Sequence, residues 1–409
     1  MPRRIAFAAA FALIAVACAG GVDNSAPGEE SNPTMTDPPP TDPLPTNASD
    51  EASEPVLPFG PSALDTRDST EFPEPLVDPA EIISGGPPPD GIPPIDDPVF
   101  VTVAQADQYL SDAEPVVLLE IDGDARAYPV QVLIWHEIVN DTVGAVPVSI
   151  TYCPLCNSAV SYIREVRGVE TTFGTSGRLF ASALVMYDRA TESLWTHFDG
   201  RAVVGMLAGD SLEPIGSPLV AWEDFKEAFP GGQVLDRDST GFSRDYGRNP
   251  YVGYDDQDGT PFLFRGALDD RARALQRVVG VTIGDDAKAW TIGAVSSGEA
   301  SATHSQVAGQ EIVILWVAGQ ASALEDSFVD EGRDVGSVGV FSPEVDGQSL
   351  TFEVQGAVFV DTQTASTWNV LGKATDGPLA GTSLERIPHL DTFWFAWSTY
   401  QAGSAIIEG

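Results

Sequence analysis

Two cysteines three positions apart are the residues of this 409-residue chain best suited to chemistry. Cys153 and Cys156 stand in the segment Tyr152-Cys-Pro-Leu-Cys, and Cys18 is the only other cysteine. A pair with this spacing can close a disulfide, join a metal site or undergo thiol–disulfide exchange. A c-type haem would need histidine directly after the second cysteine, where Asn157 stands, and a structural zinc site would normally need a second ligand pair.

Thiol–disulfide exchange is the chemistry that we expect of this pair. A structural disulfide across so short a loop would contribute roughly 2 kcal/mol through loop entropy, which favours a redox role over a purely structural one. In exchange, one thiolate attacks and the second thiol resolves the mixed disulfide. By position, Cys153 is expected to be the more exposed, attacking thiol and Cys156 the resolving one. As an enzyme, such a protein would be a thiol–disulfide oxidoreductase without a cofactor.

A nearby imidazole would lower the pKa of the attacking thiol. The segment around Trp135 and His136 supplies one in the same part of the chain, and Glu137 or Asp141 could orient it. We therefore predict that His136 tunes Cys153 and that the three neighbouring residues support it.

Two other uses of the cysteines stay open. Two thiolates with His136, and with Met186 or His197, would suit Cu(I) by ligand softness, which would make copper the cofactor. Alternatively, the pair forms a stabilising disulfide in a non-catalytic surface binding module.

Short apolar segments with period two must position these residues. Val116–Ile121 and Ala125–Tyr128 flank Asp122-Gly123, a sequence typical of a β-hairpin turn. Further strands are expected at 146–152, 184–187, 312–317 and 350–354, whereas helical patterns are limited to 104–110 and 222–228. The sequence therefore predicts an α+β fold that is mainly β.

An internal repeat divides the folded part into two related β-rich halves. Asp188, Thr191, Ser193 and Trp195 recur 173 positions later as Asp361, Thr364, Ser366 and Trp368. Because this set occurs in both halves, we interpret it as a structural turn with a buried tryptophan. The predicted boundaries are 82–235 for the first half and 236–409 for an insert with the second half.

Only the first half carries the candidate chemistry. At an offset of 164 positions, Cys153 and Cys156 correspond to Val317 and Gln320, and His136 corresponds to Ala300. A fold that needed the cysteines for stability would more plausibly keep them twice, so this asymmetry favours a functional role.

The N-terminal region and the charge indicate where the protein acts. Residues 1–18 combine a basic start, an apolar core and Ala-Val-Ala-Cys18, which resembles a lipoprotein signal with Cys18 as the lipidated residue. Residues 19–81 are rich in Pro, Asp and Glu and are predicted to form a disordered tether. With 60 acidic and 21 basic residues and a net charge of −39, nucleic acid is excluded as a partner. We expect a lipid-anchored protein on the extracytoplasmic face of the cell membrane, with protein thiols or a membrane electron donor as partners.

Several longer segments together resemble one family, the prokaryotic domain of unknown function 3179. The segments begin at Ser84 (SGGPPPDGIP), Trp135 (WHEIVND), Tyr152 (YCPLC), Met186 (MYDR), Arg244 (RDYGRNPY), Gly377 (GPLAG) and Phe393 (FWFAW). The resemblance runs from about residue 82 to the C-terminus. It implies an exported or lipid-anchored protein, and some members of the family carry selenocysteine within the Cys-Pro-Leu-Cys motif. By analogy, this favours redox chemistry at Cys153 and Cys156, but the family has no established activity to carry over.

Overall fold

A computed structural model describes residues 55–409 of the chain. The predicted signal peptide, Cys18 and most of the predicted tether lie outside the described residues. Within residues 55–409, no helix is long and apolar enough to cross a membrane.

The described chain is built mainly from short strands, as the period-two pattern predicts. The strands up to residue 235 are β1 (Ile83–Ser84), β2 (Phe100–Thr102), β3 (Pro115–Ile121), β4 (Asp124–Pro129), β5 (Ile138–Val143), β6 (Val146–Cys153), β7 (Ser158–Ile163), β8 (Glu165–Val166), β9 (Val169–Glu170), β10 (Phe173–Phe180), β11 (Ala183–Asp188), β12 (Leu194–Thr196), β13 (Ala202–Val204), β14 (Pro214–Ile215), β15 (Leu219–Ala221) and β16 (Gln233–Leu235). The later strands are β17 (Arg277–Ile283), β18 (Asp286–Thr291), β19 (Ala300–Val307), β20 (Gln310–Val317), β21 (Ser337–Phe341), β22 (Glu344–Val345), β23 (Gln348–Ser349), β24 (Phe352–Gln355), β25 (Val358–Asp361), β26 (Thr367–Trp368), β27 (Ala374–Asp376), β28 (His389–Phe393) and β29 (Ala405–Ile407).

Helices are few and short. They are α1 (Val103–Ala106), α2 (Val130–His136), α3 (Trp222–Ala228), α4 (Ile292–Val295) and α5 (Trp394–Tyr400), with a 3₁₀ turn at Arg237–Ser239. The predicted α+β class with mainly β structure is confirmed. The helix expected at 104–110 is shorter than predicted, whereas the helix at 222–228 has the predicted bounds.

The Asp-Gly sequence makes the expected hairpin turn between β3 and β4. Both Asp122 and Gly123 have positive φ, at 51° and 82°, which is the backbone conformation of a type I′ turn. The strands pair in register from Val116 opposite Pro129 to Ile121 opposite Asp124. Local turn chemistry and alternation therefore suffice to specify this element.

The sheets of the two halves follow one another in corresponding order. In the first half they are β15-β3-β4-β16-β2, β14-β7-β6-β5 and β1-β10-β11-β12-β13. In the second half they are β28-β17-β18-β29, β19-β20-β21 and β24-β25-β26-β27. In each half, one strand pairs in parallel with the second strand of the first hairpin: β16 with β4, and β29 with β18. A common origin of the halves by duplication remains a prediction.

The repeated Asp-Thr-Ser-Trp set has the same hydrogen bonds in both halves. Asp188 accepts bonds from Thr191 N, Thr191 Oγ1, Ser193 N and Trp195 Nε1 at 2.6, 2.9, 3.1 and 3.0 Å. Asp361 accepts the four equivalent bonds at 2.5, 2.8, 3.1 and 3.0 Å. Each aspartate thus ties a turn to a buried indole, which agrees with the structural interpretation of the motif.

Side chains from both halves share the main hydrophobic core. This cluster contains Val148, Ile150 and both cysteines of the first half together with Val278, Phe393 and Trp397 of the second. The described residues, 55–409, accordingly lie within one compact unit, without a division between the halves.

The prediction of a disordered tether is wrong for residues 55–81, where the chain packs against the fold. Ala63 is fully buried, and Leu64, Phe72 and Val77 contact the side chains of the sheet that contains β11 and β13. The backbone also bonds to the fold, with Leu76 N donating to Val203 O at 3.0 Å. A few apolar side chains that bury well can order such a segment, although the average composition is that of a disordered one.

Candidate functional site

The two cysteines lie at the end of one β-hairpin. Cys153 is the last residue of β6 and pairs with Ser158, the first residue of β7, so that four loop residues close the hairpin. Asn157 adopts a positive φ of 47°, a conformation that asparagine tolerates better than most residues. This loop places the second thiol next to the first.

The second half of the chain holds the loop in place. The Cys156 carbonyl accepts bonds from Thr392 Oγ1 at 2.7 Å and from Phe393 N at 3.1 Å, at the end of β28. Tyr254 lies in the insert between the halves (residues 236–276) and donates its hydroxyl to Leu155 O at 3.1 Å. The half that lacks cysteines therefore contributes directly to the position of the cysteine loop.

Both thiols are free and buried in the structure, and they differ in acidity. Only 1% of Cys153 and none of Cys156 is exposed. Burial raises the pKa of the Cys153 thiol, but hydrogen bonds from the Cys156 thiol and from backbone N–H groups, including that of Leu184, outweigh burial and lower the net pKa. Burial and the neighbouring Cys153 sulfur raise the pKa of Cys156 well above its usual value. Cys153 is thus the more acidic thiol of the pair, and the Cys156 thiol donates a hydrogen bond to its sulfur.

A chain of hydrogen bonds leads from Cys156 to a histidine. Cys156 Sγ lies 2.9 Å from Ser158 Oγ, which lies 2.9 Å from His197 Nε2. On the other side of the ring, His197 Nδ1 lies 2.8 Å from Thr151 Oγ1, which donates to Val160 O at 2.7 Å. The Cys156, Ser158, Thr151 and His197 side chains are all fully buried. Burial lowers the pKa of His197 to about 3, so the ring is neutral near pH 7.

Glu137 is the carboxyl group beside Cys153. It follows α2 with a positive φ of 59°, and its carbonyl accepts a bond from Tyr152 N at 2.8 Å, which fixes it next to the end of β6. Burial, and then the charge of Cys153, raise the pKa of Glu137 well above its usual value. The carboxyl and the thiolate therefore oppose each other's ionisation, and Glu137 favours its protonated form while Cys153 is charged.

Tyrosines surround the two sulfurs. Burial raises the pKa values of four tyrosines, and the charge of Cys153 raises each of them further: Tyr152, Tyr251, Tyr254 and Tyr400. Two of them, Tyr251 and Tyr254, come from the insert between the halves. The insert, which contains no strand, thus supplies part of the cover over the thiols.

The hydrogen-bond partners of His136 are not the cysteines, contrary to the expected arrangement. Its Nδ1 lies 2.7 Å from Pro93 O and its Nε2 lies 2.7 Å from Tyr246 OH, so both ring nitrogens have other partners. Burial, opposed by the hydrogen bond to Pro93 O and aided by the charge of Arg244, lowers its pKa to about 4, so the ring is neutral near pH 7 and contributes no cation to the thiols. The residue is buried at the end of α2, where Tyr246 of the insert docks against it.

The predicted supporting residues also have other roles, except Glu137. Asp141 forms a buried ion pair with Arg126 at 2.7 Å and accepts the Tyr128 hydroxyl at 2.6 Å. The indole N–H of Trp135 is buried and has no hydrogen-bond partner among the described residues.

The ligand set expected for copper is not brought together as a cluster of ligating groups. Met186 lies in β11, fully buried in the same core as the cysteines, but His136 is committed to other partners. Within residues 55–409, no group of three or more His, Cys, Asp or Glu residues is arranged to hold a metal ion. Copper binding stays a prediction without a geometric feature that favours it.

The hydrogen-bonded histidine of the site is therefore His197 instead of His136, and sequence reasoning missed Ser158 and Thr151. His197 follows β12 and is 39 positions from Ser158 along the chain, so that no local spacing links them. One signal was available: Thr151 and Ser158 flank the cysteine loop as buried polar residues of two largely apolar strands. Buried hydroxyls at such positions need partners, and the chain offers only four histidines.

Comparison with known proteins gives one result. A family model described as "Protein of unknown function (DUF3179)" matches residues 89–404, which include the cysteine loop, His197 and both halves. No curated protein and no solved structure matches the chain.

Proposed function

The chain belongs to the DUF3179 family, and we propose that it is a thiol–disulfide redox protein in which Cys153 attacks and Cys156 resolves. The observation that carries this proposal is the opposite change in acidity of two adjacent free thiols. A pair held only for stability has no need of one stabilised thiolate and one retained thiol. Exchange needs both, because the thiolate is the nucleophile and the second thiol must wait until the mixed disulfide has formed.

The reaction balances as a two-electron exchange. The Cys153 thiolate attacks a substrate disulfide, forming a mixed disulfide and releasing one substrate thiolate. Cys156 then loses its proton and attacks the Cys153 sulfur, which breaks the mixed disulfide and releases the second substrate thiolate. The substrate disulfide gains two electrons and becomes two thiolates, the one proton of Cys156 is released, and the protein retains a disulfide between Cys153 and Cys156.

Glu137 supports the proposal as a proton-holding group beside the nucleophile. Its raised pKa depends in part on the charge of Cys153, so consumption of that charge in a disulfide favours release of the Glu137 proton. A carboxyl group in this position would couple the redox state of Cys153 to proton release.

Access to the sulfurs requires movement of the cover. Both thiols are buried, and the insert contacts the cysteine loop through Tyr254. Segments without regular strands open locally at a lower free energy than the strands of a core. We therefore expect the insert at 236–276 to open before a substrate disulfide reaches Cys153.

We also propose an extracytoplasmic location, based on the sequence alone. A lipidated Cys18 and the acidic segment that follows it would hold the folded part outside the membrane, where disulfides persist. Protein thiols or a membrane electron donor would then be the partners.

Trapping of the mixed disulfide tests the proposed reaction. The full chain with Cys156→Ser, incubated with oxidised glutathione, is expected to accumulate a glutathione adduct on Cys153, detected by mass spectrometry. The matched variant Cys153→Ser is expected to form little adduct, because the remaining Cys156 thiol has the higher pKa. Equal adduct formation on both variants, or adduct on neither, would contradict the proposal.

A further inference from the structure

Once Cys153 is bound in a mixed disulfide and no longer accepts the Cys156 proton, only one arrangement with a neutral imidazole satisfies all four contacts of the chain that begins at Cys156. The Val160 carbonyl can only accept, so the single hydroxyl proton of Thr151 is used there. Thr151 Oγ1 must then accept from His197 Nδ1–H. In a neutral imidazole, Nε2 is consequently the acceptor, and the hydroxyl that donates to it is that of Ser158.

The same logic fixes the state of Cys156. In the reduced protein the Cys156 thiol donates to the Cys153 sulfur. The mixed disulfide consumes that acceptor, and because the Ser158 proton is directed at the imidazole, Ser158 Oγ then accepts from the Cys156 thiol. Every hydrogen bond therefore points from the thiol toward the ring on one side, and from the ring toward the Val160 carbonyl on the other.

A second arrangement differs from the first only in proton positions. If the thiol proton moves to Ser158 Oγ while the hydroxyl proton moves to His197 Nε2, the chain holds a Cys156 thiolate and an imidazolium. The ring still donates from Nδ1 to Thr151 Oγ1, and the hydroxyl of Ser158 now donates to the sulfur. No heavy atom has to move, because the distances of 2.9 Å on either side of Ser158 Oγ serve both arrangements.

We propose that Ser158 is a catalytic residue that carries the proton of Cys156 to His197 when Cys156 resolves the mixed disulfide. This inference rests on the redox function proposed above and adds the destination of the proton. In the resolving step, the Cys156 sulfur bonds to the Cys153 sulfur, the bond from Cys153 to the substrate sulfur breaks, and the substrate leaves as a thiolate. The Cys156 proton passes to Ser158 and the Ser158 proton to Nε2, so the positive charge of the imidazolium balances that of the departing thiolate.

His197 acts through Ser158 and is held for this purpose by Thr151. Since burial disfavours the imidazolium, the ring keeps the proton only while the thiolate is close and then returns it to that leaving group. Cys153 needs no such proton acceptor, because backbone N–H groups stabilise its thiolate before the reaction begins.

The lifetime of the mixed disulfide tests the inference. With oxidised glutathione, the full chain is expected to form an adduct on Cys153 that converts to the Cys153–Cys156 disulfide. In Ser158→Ala, adduct formation should keep its rate, whereas conversion should slow at least tenfold and lose the slowing in D₂O that the unsubstituted chain shows. Ser322→Ala is the matched control, because Ser322 is the buried serine at the corresponding position of the second half, bonded to Asp255, and this variant should behave like the unsubstituted chain.

A direct measurement of the ring covers the case in which Ser158→Ala does not fold. Nitrogen NMR of the unsubstituted, reduced protein should show His197 as the neutral Nδ1–H tautomer, and the Nε2–H tautomer would overturn the inference. Conversion in Ser158→Ala at the rate of the unsubstituted chain would also overturn it and leave the proposed function intact. Absence of any adduct on the unsubstituted chain and on Cys156→Ser would overturn both.

Discussion

Replacing Cys156 by alanine should make Cys153 a weaker acid. The Cys153 sulfur accepts a hydrogen bond from the Cys156 thiol and others from backbone N–H groups, including that of Leu184. Alanine removes the first and leaves the backbone donors in place. The Cys156→Ser variant retains a hydroxyl donor at the same position and is the matched control.

The expected size follows from the bond that is lost. Hydrogen bonds to charged groups contribute about 1.5–3 kcal/mol, and a thiol is a weak donor, so we take about 1.4 kcal/mol. This free energy corresponds to about a tenfold lower thiolate population at any pH below the midpoint. The reactive form of cysteine is the thiolate, so the rate of modification should fall by the same factor.

The assay is the rate of iodoacetamide alkylation of Cys153 as a function of pH, with the modified residue identified by mass spectrometry. Each profile is normalised to its own plateau at high pH, so that differences in access to the buried sulfur cancel. We expect the midpoint of Cys156→Ala to move to higher pH and that of Cys156→Ser to stay close to that of the unsubstituted chain. A midpoint for Cys156→Ala that is unchanged or lower would refute the assignment of Cys156 as the donor to a Cys153 thiolate.

Four further substitutions test other parts of the site and fold. Glu137→Gln imitates the protonated carboxyl that accompanies the Cys153 thiolate, so the midpoint of Cys153 in a titration of ultraviolet thiolate absorbance should stay unchanged; a midpoint at lower pH would show that Glu137 is charged when Cys153 ionises and would contradict the coupling. His136→Ala should leave that titration unchanged, because neither ring nitrogen contacts a sulfur; a shifted midpoint would restore the tuning role. Asp361→Asn should lower the free energy of unfolding in urea by about 1.5–3 kcal/mol at neutral pH, since hydrogen bonds to a charged group are lost. Burial raises the pKa of Asp361, but its hydrogen bonds outweigh burial and lower the net pKa. The decrease in unfolding free energy should therefore be complete above pH 3.8 and should shrink as the pH falls through the folded-state pKa. A decrease that grows on acidification would be inconsistent with these hydrogen bonds. Burial raises the pKa of Asp188 despite the same hydrogen bonds, so its ionisation should destabilise the fold as the pH rises above 3.8. Asp188→Asn should therefore lower the free energy of unfolding at neutral pH by less than Asp361→Asn does; an equal or larger decrease would contradict this difference between the two aspartates.

The sequence predicted most of the local structure because the relevant signals are local. Alternating apolar residues located β6, β11 and β20 to within two residues at either end, and the Asp122-Gly123 turn fixed the first hairpin. The Cys153–Cys156 spacing identified the central pair of the site. These features depend on neighbours in the chain, which a single sequence displays.

The remaining parts of the site depend on contacts that are distant along the chain. The strands from β7 to β12 separate Ser158 from His197 along the chain, so only the tertiary fold brings the two side chains together. His136 is close to the cysteines in sequence, but its ring bonds to Pro93 and to Tyr246 of the insert. Residues 55–81 show the same limit, because their order comes from a surface that the later sheet provides. Proximity in sequence was a poor guide to proximity in space for these groups.

The reduction potential of the cysteine pair tests the central claim most directly. The full chain is equilibrated with glutathione buffers of defined potential, and the fractions of dithiol and disulfide are measured by alkylation and mass spectrometry. We predict a reversible transition of Cys153 and Cys156 between about −120 and −270 mV, the range of thiol–disulfide catalysts. A pair with a potential below about −300 mV, typical of structural disulfides, or one that never forms a disulfide, would contradict the account.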